Sequence, residues 1–304
     1  MGIRIVKTSS YLPGPGVDNS YFEDFLDTSD SWISSRTGIK NRYFAKDEDL
    51  FDLVERSVKN LKLSQGEMDR VKTIIVATCT SSYAIPNLAS RVQENFNFAE
   101  DIYSLDINMA CSSFVAGLKL INGLIKEGEY ALLIGAEIFS QIIDFKDRNT
   151  AVLFGDGAGA VLLEYSSRES YFISGTRGNT EVLNCGHESK FLYMNGKEVY
   201  RFGVSTMEKA IKGFMDKLDI NRDKVDYFIA HQANIRILES LAKGLGVSMD
   251  KFPFNMDKVG NISSASIPVL LDQMNKEGKL KSGDKIIFLG FGAGLTWSLA
   301  YMKW

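Results

Sequence analysis

A cysteine, a histidine and an asparagine in this chain each stand where a strand-like run gives way to a helix-like one. Cys111 lies in Met109-Ala110-Cys111-Ser112-Ser113-Phe114, between the strand-like Ile102 to Ile107 and the helix-like Phe114 to Lys126. A thiol at a strand-to-helix turn is expected to point toward solvent, and the N–H groups at a helix start favour its thiolate. His231, one of only two histidines, sits in Ile229-Ala230-His231-Gln232-Ala233-Asn234, where the apolar Val225 to Ala230 meets an amphipathic helix. Asn261 falls in Val259-Gly260-Asn261-Ile262-Ser263-Ser264-Ala265-Ser266, ahead of the helix-like Ile267 to Lys276. Taken singly, a free cysteine is a small hydrophobe, a histidine a satisfied structural residue and Gly-Asn a turn. Their coincidence at like positions, on element ends where scaffolds hold catalytic groups, marks Cys111 as a candidate nucleophile with two partners.

The elements that must position this set read as a weak internal duplication. Met68 to Lys72 precedes a strand at Thr73 to Thr78, as Arg222 to Asp226 precedes Tyr227 to Ala230. Gly128-Glu129-Tyr130 leads into Ala131 to Ala136 much as Gly283-Asp284-Lys285 leads into Ile286 to Phe291. A glycine-rich strand pair over Ala151 to Glu164 is echoed by Gly292-Ala293-Gly294 and a final strand. Each half thus alternates strands and helices, an α/β pattern, with the first half expected over residues 1–165 and the second over 166–304. Phe51, Val54, Val58 and Leu61, and Met207, Ile211, Phe214 and Leu218, recur at helical spacing and read as core stripes. Gly155 to Gly159 lies between strand-like runs rather than before a helix, so close strand approach explains it better than a phosphate cradle.

Composition bounds the function classes. At 304 residues, 45% hydrophobic and 24% charged, the chain buries one large core or two coupled ones. A net charge of -3 with scattered basic residues gives no basis for nucleic-acid binding. The three cysteines, at 79, 111 and 185, show no paired spacing, which argues against a disulfide framework or a metal site and fits a reducing cytoplasm. Ile286 to Met302 is free of charge for 17 residues, yet its glycines read as two buried strands about a turn rather than a membrane span. The N-terminus is too charged for a signal peptide and reads as a first strand.

Four motifs taken in order, Met109 to Phe114, His231 to Asn234, Gly260 to Ser266 and Phe291-Gly-Ala-Gly-Leu-Thr-Trp297, resemble the β-ketoacyl-acyl carrier protein synthase III family. Asp30 to Ile39 and Asp147 to Gly159 are similar to that family as well, so the likeness runs nearly end to end. It implies a thiolase-type fold, two βαβαβαββ halves in a five-layered αβαβα arrangement, and a homodimer. It also implies a condensation that starts fatty-acid synthesis. Cys111 would take the acyl group of an acyl-CoA primer, and His231 and Asn261 would donate hydrogen bonds to the malonyl thioester oxygen as malonyl-acyl carrier protein loses CO2. The backbone N–H groups of Cys111 and Ala293 match a second oxyanion site, where the family commonly has glycine at the position of Ala293. Acyl-CoA enters as substrate, with no further cofactor and no metal.

The resemblance carries over binding residues too. Trp32 and Arg148 match the pair that stacks on the CoA adenine; Arg36, Thr37, Gly196 and Asn234 match further CoA contacts. Tyr200 and Ile85 match acyl-pocket positions, Ile85 replacing an aromatic residue that in some relatives gates the pocket across the dimer. The segment Gln232, Ala233, Asn234, Ile235 and Arg236, with Arg201 and Lys243, matches the acidic carrier protein's docking surface. Other readings are less well served by the residues. Thiolases need a second cysteine near the C-terminus, and elongating ketosynthases use a second histidine where Asn261 stands, His187 lying in a polar loop far from that motif. A papain-like hydrolase lacks its cysteine signature here. A relative that passes acyl groups to a non-malonyl acceptor is the alternative, and a noncatalytic subunit a third idea.

Overall fold

The computed structural model describes residues 2–186 and 189–304, so His187 lies outside the described residues. Nine strands of four residues or more form two mixed sheets among the described residues. The first holds β1 (Gly2–Tyr11), β2 (Val71–Ala77), β3 (Tyr103–Ile107), β4 (Tyr130–Ile138) and β5 (Asp156–Ser166), in spatial order β1-β5-β4-β2-β3. Here β2 runs parallel to β3 and β4, while β5 is antiparallel to β4 and β1. The second holds β6 (Tyr171–Thr176), β7 (Tyr227–Ala230), β8 (Lys285–Gly292) and β9 (Thr296–Lys303), in order β7-β8-β9-β6. There β7 is parallel to β8, and β9 is antiparallel to β8 and β6, so the second sheet repeats the first without a counterpart of β3.

Helices fill three layers around these sheets. Outside the first pack α2 (Leu50–Asn60) and α3 (Leu88–Phe96), burying Val54, Val58 and Val92 against Ile74 and Leu132. Outside the second lie α5 (Met207–Lys217) and α6 (Ile235–Leu245), whose Ile211, Phe214 and Leu238 meet Phe228 and Ile287. Between the sheets run α4 (Ser113–Leu124) and α7 (Ser266–Lys276). Phe114, Leu118, Ile267 and Leu271 share one cluster there with Ile75 of the first sheet and Phe288 of the second. A helix enclosed on both sides must be apolar nearly all round, as Ser113 to Leu118 is, whereas the outer helices show the single stripe expected for a surface element. The charge-free C-terminal run is the pair β8 and β9, and no helix among the described residues is long and apolar enough to cross a membrane.

The close strand approach expected for Gly155 to Gly159 holds in part: a Cβ on Gly157 would fall 2.9 Å from the Leu12 side chain and 3.3 Å from the Tyr11 carbonyl oxygen of β1, but other glycines of the inner layer answer to helices. A Cβ on Gly159 would fall 2.8 Å from the Val269 nitrogen of α7, and one on Gly135 would fall 2.5 Å from the Ser264 carbonyl oxygen. At these two positions it is helix α7 and the turn before it, rather than a neighbouring strand, that press on the first sheet. Gly290 does the same for α4, its missing Cβ lying 2.9 Å from Ser112 Cα.

Candidate active site

Each candidate catalytic side chain sits at an inner helix or strand end; Cys111 and Asn261 are held there by the other half of the molecule, His231 by its own. Cys111 directly precedes α4, in a turn where Ala110 takes φ +47° and the Ser113 hydroxyl accepts from the Met109 N–H at 2.7 Å. Thr296 of β9 locks this turn from the second half, its hydroxyl 2.9 Å from the Ser112 hydroxyl and 3.1 Å from the Met109 carbonyl oxygen. His231 follows β7, its N–H donating to Leu289 O of β8 at 2.8 Å, with the Phe291 ring set edge-on at 5.4 Å. Asn261 is tied by its own backbone to the first half: its N–H donates to Leu153 O at 2.9 Å, and its carbonyl accepts from the Gly155 N–H at 3.0 Å.

The three side chains line one cavity of about 110 Å³, together with Phe291, Gly292 and Asn234. Its walls are apolar, with Leu153, Val199 and Ile237 among them. Cys111 also faces a second cavity of about 200 Å³, bounded by Cys79, Phe139, Ile142, Phe154, Leu192 and Ala293. The thiol therefore stands between a space that holds His231 and Asn261 and a largely apolar space that does not.

The expectation of a solvent-facing thiol lowered by a helix start is overturned. Cys111 is 8% exposed, and burial pushes its thiol up to about 12, partly opposed by the Ser263 hydroxyl and reinforced by the Glu137 charge. In a low-dielectric pocket the loss of hydration outweighs what the first turn of α4 returns to the thiolate. Burial acts oppositely on His231, pushing it down to about 3 against a smaller effect of the Ser263 main chain. The imidazole is therefore neutral at pH 7, carrying one N–H to donate and one nitrogen to accept.

Ala293 lies on the second cavity beside Cys111 and is not among the residues with positive φ; Gly294, at +68°, and Leu295, at +48°, make the left-handed part of that turn instead. Its N–H is thus available without the strain that alanine would suffer in glycine's conformation. Gly292, at φ -175°, is the residue that must be glycine for contact: a Cβ there would fall 2.7 Å from the Cys111 nitrogen.

The binding candidates divide. In α1 (Asp30–Thr37), Trp32 has the Arg148 guanidinium 4.7 Å and that of Arg36 5.5 Å from its ring centroid. A purine between Trp32 and Arg148 needs two contact distances, about 7 Å, so the guanidinium now occupies the place a ring would take and must swing aside to admit one. Gly196 and Asn234 line the first cavity, and Asn234 also caps α6 and donates to Arg36 O at 3.1 Å. Thr37 is a correction: it is buried, its hydroxyl donating to Ile33 O at 2.7 Å and accepting from the Ile39 N–H at 3.0 Å, so it closes α1 rather than facing a ligand.

Tyr200 lines the first cavity, not the second one behind Cys111. Ile85 borders neither cavity of its own chain and is 87% exposed. Of the docking segment, Gln232 is fully buried, its amide bridging Ala230 O and the Asn255 N–H, so it cannot be touched from outside. Ala233 and Ile235 are half-buried, while Arg236, Arg201 and Lys243 are exposed. Arg201 is paired with Glu198 at 3.2 Å, and Arg236 donates to Ser35 O at 2.9 Å. Cys79 and Ser263 were not singled out by sequence reasoning, though both border the second cavity. Glu137 was missed too; a lone acid in the apolar run Ala131 to Ile138 was the available signal.

A duplicated five-layer fold that gathers a cysteine, a histidine and an asparagine about one buried cavity is the architecture of thiolase-type condensing enzymes, which transfer acyl groups. Comparison with known proteins agrees. Residues 105–180 match the family model for 3-oxoacyl-[acyl-carrier-protein (ACP)] synthase III, and residues 215–304 match that for its C-terminal part. The chain is 42% identical to the β-ketoacyl-[acyl-carrier-protein] synthase III of Staphylococcus aureus, with 100% of this chain and 99% of the relative covered. The enzyme of the same name from Clostridium acetobutylicum is 40% identical, with 99% and 98% covered. The crystal structure of 3-oxoacyl-[acyl-carrier-protein] synthase III from Aquifex aeolicus superposes with a TM-score of 0.93 at 36% identity, covering all of both chains. The chain belongs to the β-ketoacyl-acyl carrier protein synthase III family, the acyl-transferring condensing enzymes of fatty-acid biosynthesis.

Proposed function

We propose that this enzyme joins an acyl-CoA primer to malonyl-acyl carrier protein through an acyl-Cys111 intermediate. The Cys111 sulfur attacks the primer thioester, the carbon–sulfur bond to CoA breaks, and the proton of the Cys111 thiol passes to the departing sulfur, so that CoA leaves as its thiol. The second, largely apolar cavity takes the acyl chain, while the backbone N–H groups of Cys111 and Ala293 receive the thioester oxygen. The malonyl group then enters the first cavity and loses CO2. Negative charge collects on its thioester oxygen, to which His231 and Asn261 donate. The resulting carbanion attacks the acyl-Cys111 carbonyl, forming the new carbon–carbon bond and returning the sulfur. Neutral donors suit this step, because they stabilise charge as it develops without needing to gain any.

The observation that carries the reading is the position of Cys111 between two cavities, one of which also holds His231 and Asn261. Trp32, Arg36 and Arg148 form a flat-faced cationic patch suited to the CoA nucleotide. The exposed cations Arg201, Arg236 and Lys243 suit an acidic carrier. The homodimer is part of the same proposal: β3 is a sheet edge and Tyr103 on it is 64% exposed. Ile85, 87% exposed, would in such a dimer serve the partner's acyl cavity, as the family resemblance implies. Intact mass after incubation with acetyl-CoA or longer acyl-CoAs, for wild type and Cys111→Ala, then with malonyl-acyl carrier protein, tests the proposal. An acyl adduct lost in Cys111→Ala and converted to β-ketoacyl carrier protein is expected; an adduct that ignores the malonyl carrier would overturn it.

A further inference from the structure

Glu137, near the end of β4, is a fully buried carboxylate with no ion-pair partner among the described residues. Such a group is costly unless hydrogen bonds replace its hydration. Its two oxygens are served by different parts of the chain. Oε2 accepts from the Thr80 hydroxyl at 2.7 Å, the Cys79 N–H at 3.0 Å and the Thr78 hydroxyl at 3.1 Å, all just beyond β2. Oε1 lies 2.7 Å from the Ser264 hydroxyl, whose single proton is shared with the Ala77 carbonyl oxygen at 2.8 Å, and it accepts from the Ser264 N–H at 3.4 Å and from the Cys79 thiol at 3.4 Å. Glu137 borders neither cavity.

Ser264 belongs to the turn that carries Asn261. Within it Ser263 takes φ +44°, a left-handed conformation that a side chain disfavours and that persists only when its surroundings hold it. From there the Ser263 N–H donates to Asn261 Oδ1 at 2.9 Å. Because an N–H must face an acceptor, this bond fixes which end of the Asn261 amide is the oxygen and leaves the NH2 end as the donor. Gly135, two residues before Glu137 on the same strand, lets the Ser264 carbonyl come close enough for the clamp to form.

We propose that Glu137 is a positioning residue for the decarboxylative half-reaction: by holding Ser264 it keeps Ser263 left-handed, and so aims the Asn261 NH2 at the malonyl thioester. This rests on the role given to Asn261 above. Glu137→Gln is a directed test, since the one oxygen it keeps is best used by the three donors at Oε2, which turns an NH2 group toward Ser264. Acylation of Cys111 by acetyl-CoA should not fall, because removing the Glu137 charge eases ionisation of the thiol rather than opposing it. Decarboxylation of malonyl-acyl carrier protein should fall by about 10 to 100-fold, the scale of misplacing a reacting group by an ångström.

Adding Ser263→Gly to Glu137→Gln should recover part of that loss, because glycine adopts positive φ without a clamp. Should Glu137→Gln fold poorly, Ser264→Ala removes the hydroxyl partner and should show the same split between half-reactions. Equal losses in both half-reactions, or no rescue by glycine, would overturn the proposal. Asn261→Ala is measured alongside. If it decarboxylates as wild type does, the role of Asn261 is wrong and the Glu137 proposal falls with it; if it is impaired while Glu137→Gln is not, the Glu137 proposal alone is wrong.

Discussion

The two halves solve one packing problem with opposite chemistry. In each, a strand glycine yields to the turn before the inner helix of the other half: Gly135 to Ser264, Gly290 to Ser112. Two residues further along, the halves part company. The first has Glu137, whose carboxylate grips Ser264. The second has Gly292, bare against the Cys111 backbone. A shared backbone arrangement thus leaves the Cys111 N–H uncrowded in one half and pins the turn of Asn261 in the other.

The largest effect should come from filling the bare side. Gly292→Ala places a Cβ 2.7 Å from the Cys111 nitrogen, and since φ is -175° the cost is contact rather than backbone strain. Acylation of Cys111, followed by intact mass, should fall by about 10² to 10³, as when an oxyanion donor is lost. Gly135→Ala makes the mirror change against Ser264, and is expected to depress malonyl decarboxylation more than acylation. If both substitutions hit the same half-reaction, the division of labour is wrong.

A second effect is thermodynamic. His231 is pushed down to about 3 in the folded protein against an ordinary value of 6.5, so the unfolded chain binds a proton that the folded one refuses. The stability contributed is present above pH 6.5 and is lost as pH falls toward 3. Between pH 7.5 and 5 this amounts to about 2 kcal/mol, using 1.36 kcal/mol per pH unit below 6.5. The gap in urea stability between those two pH values should therefore shrink by that amount in His231→Gln. An unchanged gap would mean the imidazole is hydrated in the folded state.

The smallest effect concerns Ala293. Because its φ is ordinary, Ala293→Gly should change Cys111 acylation by no more than a few-fold. A large gain would show that the methyl group, not the backbone, restrains this oxyanion site.

The order of strands and helices, the core stripes and the element-end placement of Cys111, His231 and Asn261 were legible because each follows from local periodicity and punctuation. Val54 and Val58 or Ile211 and Phe214 declare one apolar face whatever the rest of the chain does. Thr37 and Gln232 were misplaced because a polar side chain looks alike in sequence whether it meets a ligand or a main-chain group nearby. Glu137 could be noticed as an acid in an apolar strand, but its meaning depends on Ser264, 127 residues away.

By itself, then, the sequence determined the duplicated α/β architecture and singled out Cys111, His231 and Asn261 as the candidate reacting groups, since these are written in residue type and spacing. Only the tertiary structure decided that the Cys111 thiol is raised and His231 lowered. It alone decided which glycines stand against Cys111 and Ser264. Burial and close contact depend on what the other half of the chain brings to the same point in space, and no local pattern carries that information.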